Sequence, residues 1–101
     1  YEWWMKRLSN CFKMYDVVRI DHFRGFDTYW SVPYGDKTAK NGEWVKGPNM
    51  DLLNVVKEKF KNVEFIAEDL GYHTPSVQKM LDNFGFPGMK VLQFGFDSRE
   101  K

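Results

Sequence analysis

The sequence reads Arg19-Ile20-Asp21-His22-Phe23-Arg24-Gly25-Phe26 in one segment and Ile66-Ala67-Glu68-Asp69-Leu70-Gly71 in another. In each segment, an apolar, strand-like run ends in an acidic residue and then breaks into a turn that contains glycine. Because strands that are apolar along their whole length lie buried inside a sheet, each segment brings a carboxylate to the rim of that sheet. Asp21 and Glu68 are therefore a candidate catalytic pair.

The chain of 101 residues is short for the architecture that this pattern predicts. A chain of this length buries one modest core, whereas a (β/α)₈ barrel has about 250 residues. We therefore predict that residues 1–101 are a fragment of a single, larger catalytic barrel domain.

Composition and charge exclude several classes of protein. Apolar residues make up 43% of the chain, and no apolar run approaches the roughly 20 residues that span a bilayer. The 15 basic and 14 acidic side chains are scattered, so no basic stripe is available for nucleic acid. The opening residues lack a secretory signal pattern, and the lone Cys11 has no partner for an internal disulfide. These features predict a cytoplasmic protein that binds neither membranes nor nucleic acid.

Helical and strand-like patterns alternate along the chain. Helix signals include a cap at Asn49, the start Thr74-Pro75 and a stop at Gly85. The predicted elements are helix 2–14, strand 15–20, helix 49–60, strand 63–67, helix 74–84 and strand 89–94. This order predicts an α/β fold with about three consecutive α/β units of a (β/α)₈ TIM barrel, its strands covered on both faces. An open doubly wound sheet has the same local pattern and stays an alternative.

Residues 23–49 hold no helical or strand period for long, and we predict that they form an ordered active-site loop. Glycine and proline are frequent in this segment, while its aromatic content argues against disorder. Trp30, Tyr34 and Trp44 either stack on sugar rings or pack the small core of the loop itself.

The positions of Asp21 and Glu68 suit glycoside chemistry. In the predicted order they follow neighbouring parallel strands, whose carboxyl ends carry the active site of a barrel. Retaining glycoside chemistry needs two carboxyl groups about 5 to 5.5 Å apart, one as nucleophile and one as acid and then base. The alternative is structural, because acids at strand ends also accept hydrogen bonds from loops or pair with Arg19 or Arg24. Two acids on successive strands favour the catalytic interpretation.

The neighbours of Asp21 and Glu68 predict which carboxyl group is the nucleophile and which is the general acid. Arg19 projects from the same side of its strand as Asp21, where a guanidinium favours the ionised carboxylate that a nucleophile needs. The apolar run before Glu68 favours the protonated form that a general acid needs. His22 is a candidate donor to a sugar hydroxyl. Asp69 points away from Glu68 along the strand, so we assign it a supporting or capping role.

Five motifs in one order resemble the 4-α-glucanotransferases, also called amylomaltases or disproportionating enzymes, which form glycoside hydrolase family 77. The motifs are Arg19–Phe26, Tyr29–Pro33, Gly42–Pro48, Ile66–Gly71 and Pro87–Phe94. The resemblance covers nearly the whole chain. It implies a retaining transferase that moves α-1,4-glucan segments between maltooligosaccharides or starch chains, with no organic cofactor and no catalytic metal.

The resemblance also implies roles for individual residues. Asp21 matches the nucleophile, Glu68 the acid/base and Arg19 the arginine that positions the nucleophile. The residues expected to bind substrate are Arg19, His22, Arg24, Trp30 and Trp44. The third carboxylate of the family belongs to a His-Asp pair, which this sequence lacks, so we expect the isolated 101 residues to be inactive. An α-glucan hydrolase of the amylase group and a non-catalytic piece stay open as alternatives.

Overall fold

A pair of parallel strands with helices packed beside it forms the centre of the chain. The structure is a computed structural model and describes residues 1–97. Its helices and strands are α1 (Glu2–Met14), β1 (Val17–Ile20), β2 (Thr28–Ser31), β3 (Glu43–Lys46), α2 (Met50–Lys59), β4 (Glu64–Ala67) and α3 (Pro75–Phe84), with 3₁₀ helices at Phe23–Phe26 and Leu92–Phe96. Within the described residues, no helix combines the length and the apolar character needed to cross a bilayer.

Strands β1 and β4 pair in parallel, as the sequence predicted. Their register runs from Val17 opposite Glu64 to Ile20 opposite Ala67. The pairing continues past the strand end, because the Glu68 N–H donates to the Ile20 carbonyl at 2.8 Å. The carboxyl ends of both strands therefore lie side by side at one edge of the sheet.

All three helices pack against one face of this sheet. Phe65 and Ala67 alternate with the more exposed Glu64 and Ile66, so one face of β4 is buried. The core that they join contains Met5, Leu8, Phe23, Leu52, Leu53, Val56, Met80, Leu81 and Phe84. Along β1, no side chain is fully buried. The prediction that both faces of these strands are covered is therefore wrong for this chain, since its helices supply cover for one face.

The predicted helix signals are confirmed. The Asn49 side chain caps α2 by accepting from the Met50 N–H at 2.7 Å. The Thr74 hydroxyl accepts from the Val77 N–H at 3.3 Å, and proline occupies the first turn of α3. Gly85 ends α3 with a φ of 81°, a conformation that favours glycine because it has no Cβ.

The loop predicted for residues 23–49 contains an antiparallel β-hairpin, so the absence of strands there was a wrong prediction. Strands β2 and β3 pair with Thr28 opposite Lys46 and Trp30 opposite Trp44. The ring centroids of these two tryptophans are 5.4 Å apart in an edge-to-face arrangement. Each strand is short, and the long connection between them hides the pairing from any local pattern.

The third strand predicted at residues 89–94 is also wrong, because residues 89–91 have no regular structure and Leu92–Phe96 form the second 3₁₀ helix. The segment approaches β4 at one point, where the Ala67 N–H donates to the Pro87 carbonyl at 2.9 Å. Proline has no N–H to return a bond. The Met89 N–H, two residues further on, donates to the Asp69 Oδ1 at 2.9 Å. A side chain therefore takes the donor that a strand ladder would need.

We expect Phe84→Ala to lower the free energy of unfolding by about 3–5 kcal/mol, because it empties a fully buried ring site. The Phe84 ring contacts Phe23, Phe65 and Phe86, with centroids 4.8–5.6 Å away. Urea denaturation followed by tryptophan fluorescence measures the loss. Tyr34→Ala is the control, since that side chain is fully exposed and its loss should change stability by less than about 0.5 kcal/mol. Equal unfolding midpoints for the two variants would contradict the assigned core.

Candidate active site

Asp21 and Glu68 occupy equivalent positions, each directly after one of the paired strands. The Asp21 carboxylate is largely exposed and lies 3.5 Å from the Arg19 guanidinium, Oδ1 to Nη2. This is the neighbour that the strand spacing predicted. An exposed pair of this kind contributes about 0–1 kcal/mol, so its value is in orientation rather than stability.

The Glu68 carboxylate is held by two backbone amides. Its Oε2 accepts from the His22 N–H at 2.8 Å, and its Oε1 accepts from the Leu70 N–H at 2.9 Å. One donor comes from the turn that follows Asp21 and the other from the turn that follows Glu68. The half-buried carboxyl group is thereby oriented beside the residue next to Asp21.

The turn that supplies the His22 amide has an unusual backbone. His22 has a φ of 48° and a ψ of 50°, the left-handed region that most residues with a side chain avoid. Its imidazole lies against Gly25, where an added Cβ would meet the His22 Cδ2 at 2.8 Å. Glycine at position 25 therefore makes room for the side chain of a strained residue, and strain of this kind is common at functional sites.

Arg24 lies beneath the hairpin. It is 5% exposed, and its guanidinium donates to the Thr28 carbonyl at 3.3 Å and to the Thr28 hydroxyl at 3.0 Å. The same group sits 4.8 Å from the centroid of the Trp44 ring. Within the described part of the chain, its Nε is buried without a hydrogen-bond partner. The structure thus places Arg24 in support of the hairpin, and its contact with substrate stays a prediction.

Three aromatic rings connect the hairpin to the loop behind Glu68. The Trp30 indole N–H donates to the Ala39 carbonyl at 2.8 Å, and its ring meets that of Trp44. Trp44 stacks on Tyr72 with centroids 6.4 Å apart and an interplanar angle of 28°. Tyr72 was not predicted as a site residue, although an aromatic residue directly after the Gly71 turn was a usable signal in the sequence. All three rings keep substantial exposed surface.

The buried carboxylate of Asp27, which was not predicted from the sequence, fixes the base of the hairpin. Asp27 Oδ1 accepts from the side-chain amide of Asn49 at 2.8 Å, and its Oδ2 accepts from the Ser76 hydroxyl at 2.7 Å. The Asp27 carbonyl accepts from the Gly47 N–H at 2.8 Å. A Cβ at Gly47 would lie 2.5 Å from the Phe26 carbonyl oxygen, so the close approach requires glycine. Asp27 therefore joins the hairpin to the starts of α2 and α3.

A cleft of about 780 Å³ opens beside the loop that follows Glu68. Asp69, Leu70 and His73 line one side, and Met89 and Leu92 line another. A depression along α1, of about 570 Å³, lies away from both carboxylates. Across residues 1–97, no group of three or more His, Cys, Asp or Glu side chains is arranged to hold a metal ion.

The fold and the site define an α/β chain that presents two carboxyl groups at one sheet edge, an arrangement suited to glycoside chemistry. The family model described as 4-alpha-glucanotransferase, glycoside hydrolase family 77, matches residues 1–101. The chain belongs to this family, which confirms the resemblance carried by its motifs.

Individual relatives agree with the family assignment. The chain is 57% identical over 96 residues to a 4-alpha-glucanotransferase of Clostridium butyricum, covering 95% of this chain and 20% of that protein. It is 52% identical over 101 residues to a Streptococcus pneumoniae 4-alpha-glucanotransferase, covering 100% and 20%. The structure of an amylomaltase from Streptococcus agalactiae in complex with acarbose is similar, with a TM-score of 0.89 and 42% identity over 98% of this chain and 20% of that one. The chain spans about a fifth of the length of these relatives.

We expect His22→Val to lower the free energy of unfolding by about 1–2 kcal/mol, because a β-branched side chain is disfavoured at the φ of 48° found there. His22→Asn is the matched variant, since asparagine tolerates the left-handed region and should cost less than about 0.5 kcal/mol. Thermal unfolding monitored by circular dichroism compares the two. Equal stability of both variants would show that this turn relaxes without cost.

Proposed function

We propose that the protein containing this chain is a 4-alpha-glucanotransferase that transfers α-1,4-glucan segments between maltooligosaccharides or starch chains. One observation supports this above the others. Asp21 and Glu68 follow paired parallel strands, and the Glu68 carboxylate accepts a hydrogen bond from the residue next to Asp21. Membership of the 4-alpha-glucanotransferase family supports the same activity.

In the proposed mechanism the two carboxyl groups act on one anomeric carbon. The Asp21 carboxylate attacks that carbon, and Glu68 gives its proton to the 4-oxygen of the departing sugar as the glycosidic bond breaks. A covalent β-glucosyl ester on Asp21 results. Glu68 then takes the proton from the 4-hydroxyl of an acceptor glucan, whose oxygen attacks the same carbon and releases Asp21. Two inversions retain the α configuration.

The structure supports this division of roles through orientation. Arg19 lies beside Asp21 and is proposed to keep its carboxylate aligned for attack. The amides of His22 and Leu70 hold the Glu68 carboxyl group in one direction. Groups that are held in place before the substrate arrives lose little freedom during the reaction, which lowers the barrier.

We propose that residues 1–101 are part of a single catalytic (β/α)₈ barrel domain and that the remainder of the barrel is the chain's structural partner. The parallel pair β1 and β4, with helices on one face, is compatible with a barrel wall whose other face turns inwards. The large apolar side chains of Leu92, Phe94 and Phe96 are exposed in this chain and would gain cover from further strands. The third carboxylate of the family would come from that remainder.

The proposed substrate contacts extend from the carboxylates to the hairpin. Trp30 and Trp44 keep 41% and 52% of their surface exposed, which leaves ring area for stacking on glucose. His22 and Arg24 are proposed to bind sugar hydroxyls, the latter after the hairpin releases its guanidinium. A cytoplasmic site of action stays a prediction. One relative, a 4-alpha-glucanotransferase of Arabidopsis thaliana, is named as chloroplastic/amyloplastic.

We expect Asp21→Ala and Glu68→Gln each to lower transferase activity of the complete enzyme by at least about 1,000-fold without unfolding it, because each removes a reacting group. Release of glucose from maltotriose measures activity, and circular dichroism checks the fold. Matched controls are Asp16→Ala and Glu64→Gln, which alter exposed acids at the opposite ends of the same strands. Near-normal turnover in either test variant would remove that residue from the mechanism.

Hydrolysis is the second candidate function, since the same two carboxylates serve when water replaces the acceptor sugar. We expect the complete enzyme to convert maltotriose into longer oligosaccharides together with glucose, because transfer requires a sugar acceptor. Chromatography of the products over time distinguishes the reactions. Products limited to maltose and glucose would identify a hydrolase instead.

A further inference from the structure

Asp69 is a buried acid directly beside Glu68, and the proposed mechanism gives it no part. The residue is 8% exposed. Its Oδ1 accepts from the Met89 N–H at 2.9 Å, and its Oδ2 lies 3.6 Å from the His73 Nε2. A single carboxylate thus joins the end of β4, the loop that leads to α3 and the segment around residue 89.

The segment opposite Asp69 is fitted closely to this carboxylate. A Cβ at Gly88 would lie 2.7 Å from both Asp69 oxygens, so only glycine allows the approach. The carbonyl of Pro87 is fixed in turn by the Ala67 N–H at 2.9 Å. Residues 87–89 are therefore hydrogen-bonded to both sequence neighbours of Glu68, to Ala67 before it and to Asp69 after it.

This attachment reaches Glu68 through the next amide. Leu70 follows Asp69, and its N–H is one of the two donors that orient the Glu68 carboxyl group. A backbone anchored at Asp69 has little freedom to turn the Leu70 amide away. Asp69 and Leu70 also line the cleft of about 780 Å³, with Met89 on another side.

We propose that Asp69 is a positioning residue whose buried carboxylate aligns Glu68 for proton transfer, through the Leu70 amide and the segment at residues 87–89. The inference rests on the proposed role of Glu68 as the acid/base. A residue that only stabilised the fold would lower activity towards every donor equally. A residue that aligns the acid lowers activity most where the leaving group needs a proton.

Two glucan donor substrates, maltotriose and α-maltosyl fluoride, separate these cases in the complete enzyme. The oxygen that leaves maltotriose needs the proton of Glu68 as its bond to the anomeric carbon breaks. With α-maltosyl fluoride, the carbon–fluorine bond breaks as Asp21 attacks, and fluoride leaves with the electron pair and with little need of protonation. The fluoride released in the first turnover reports formation of the ester alone, while glucose from maltotriose reports the acid-dependent reaction.

We expect Asp69→Ala to lower kcat for maltotriose by about 10- to 100-fold with a small change in KM, and to leave first-turnover fluoride release within about 3-fold. Asp69→Asn keeps an oxygen for the Met89 N–H and should recover maltotriose turnover to within about 3-fold. Gly88→Ala presses on the carboxylate from the other side and should show the same donor-selective loss. Asp82→Ala, at an exposed acid on α3, is the control and should match the unaltered enzyme.

Equal losses with both donors, or no loss with either, would overturn the inference. If Asp69→Ala fails to fold, Gly88→Ala decides by the same criterion. Glu68→Ala is measured in parallel and should show the donor split in its largest form. If Glu68→Ala shows no split, the acid/base assignment itself fails and the positioning role falls with it. If Glu68→Ala loses more activity with maltotriose than with α-maltosyl fluoride, but Asp69→Ala and Gly88→Ala do not, the positioning role alone is rejected.

Discussion

The parallel pairing of β1 with β4 is the constraint on which the rest of this chain depends. Four residue pairs in register place Ile20 beside Ala67, and one further bond, from the Glu68 N–H to the Ile20 carbonyl, carries the pairing past the strand ends. Because parallel strands end at the same edge, the acid that follows each strand is brought to a common place. A shift of one residue in this register would turn one acid to the opposite face.

Around that edge, backbone amides and buried carboxylates hold the loops. The amides of His22 and Leu70 fix the half-buried carboxyl group of Glu68, while Asp69 fixes the chain that follows it. Asp27 performs the corresponding task for the hairpin through Asn49 and Ser76. A buried carboxylate is costly unless its oxygens are bonded, so each anchor requires a set of donors and confines the loops that supply them.

Features set by neighbours in sequence were predictable. The caps at Asn49 and Thr74 and the stop at Gly85 act on the residues beside them, so their effect is visible in the sequence. The hairpin formed by β2 and β3 was not predictable, because each strand needs a partner far along the chain. The predicted strand at residues 89–94 failed for the same reason, since its apolar pattern did not reveal that the side chain of Asp69, 20 residues earlier in the chain, takes the Met89 N–H.

The sequence by itself determined the three helices, the two central strands, the family and the positions of Asp21 and Glu68, because these follow from local periodicity and from motifs. Only the tertiary structure decided which donors meet Glu68, that the Arg24 guanidinium lies under the hairpin, and that Tyr72 joins the aromatic rings. The physical reason is the distance along the chain over which each kind of interaction acts. A residue's preference for helix or strand acts within a few positions, whereas a hydrogen bond between loops exists only after the sheet has aligned them.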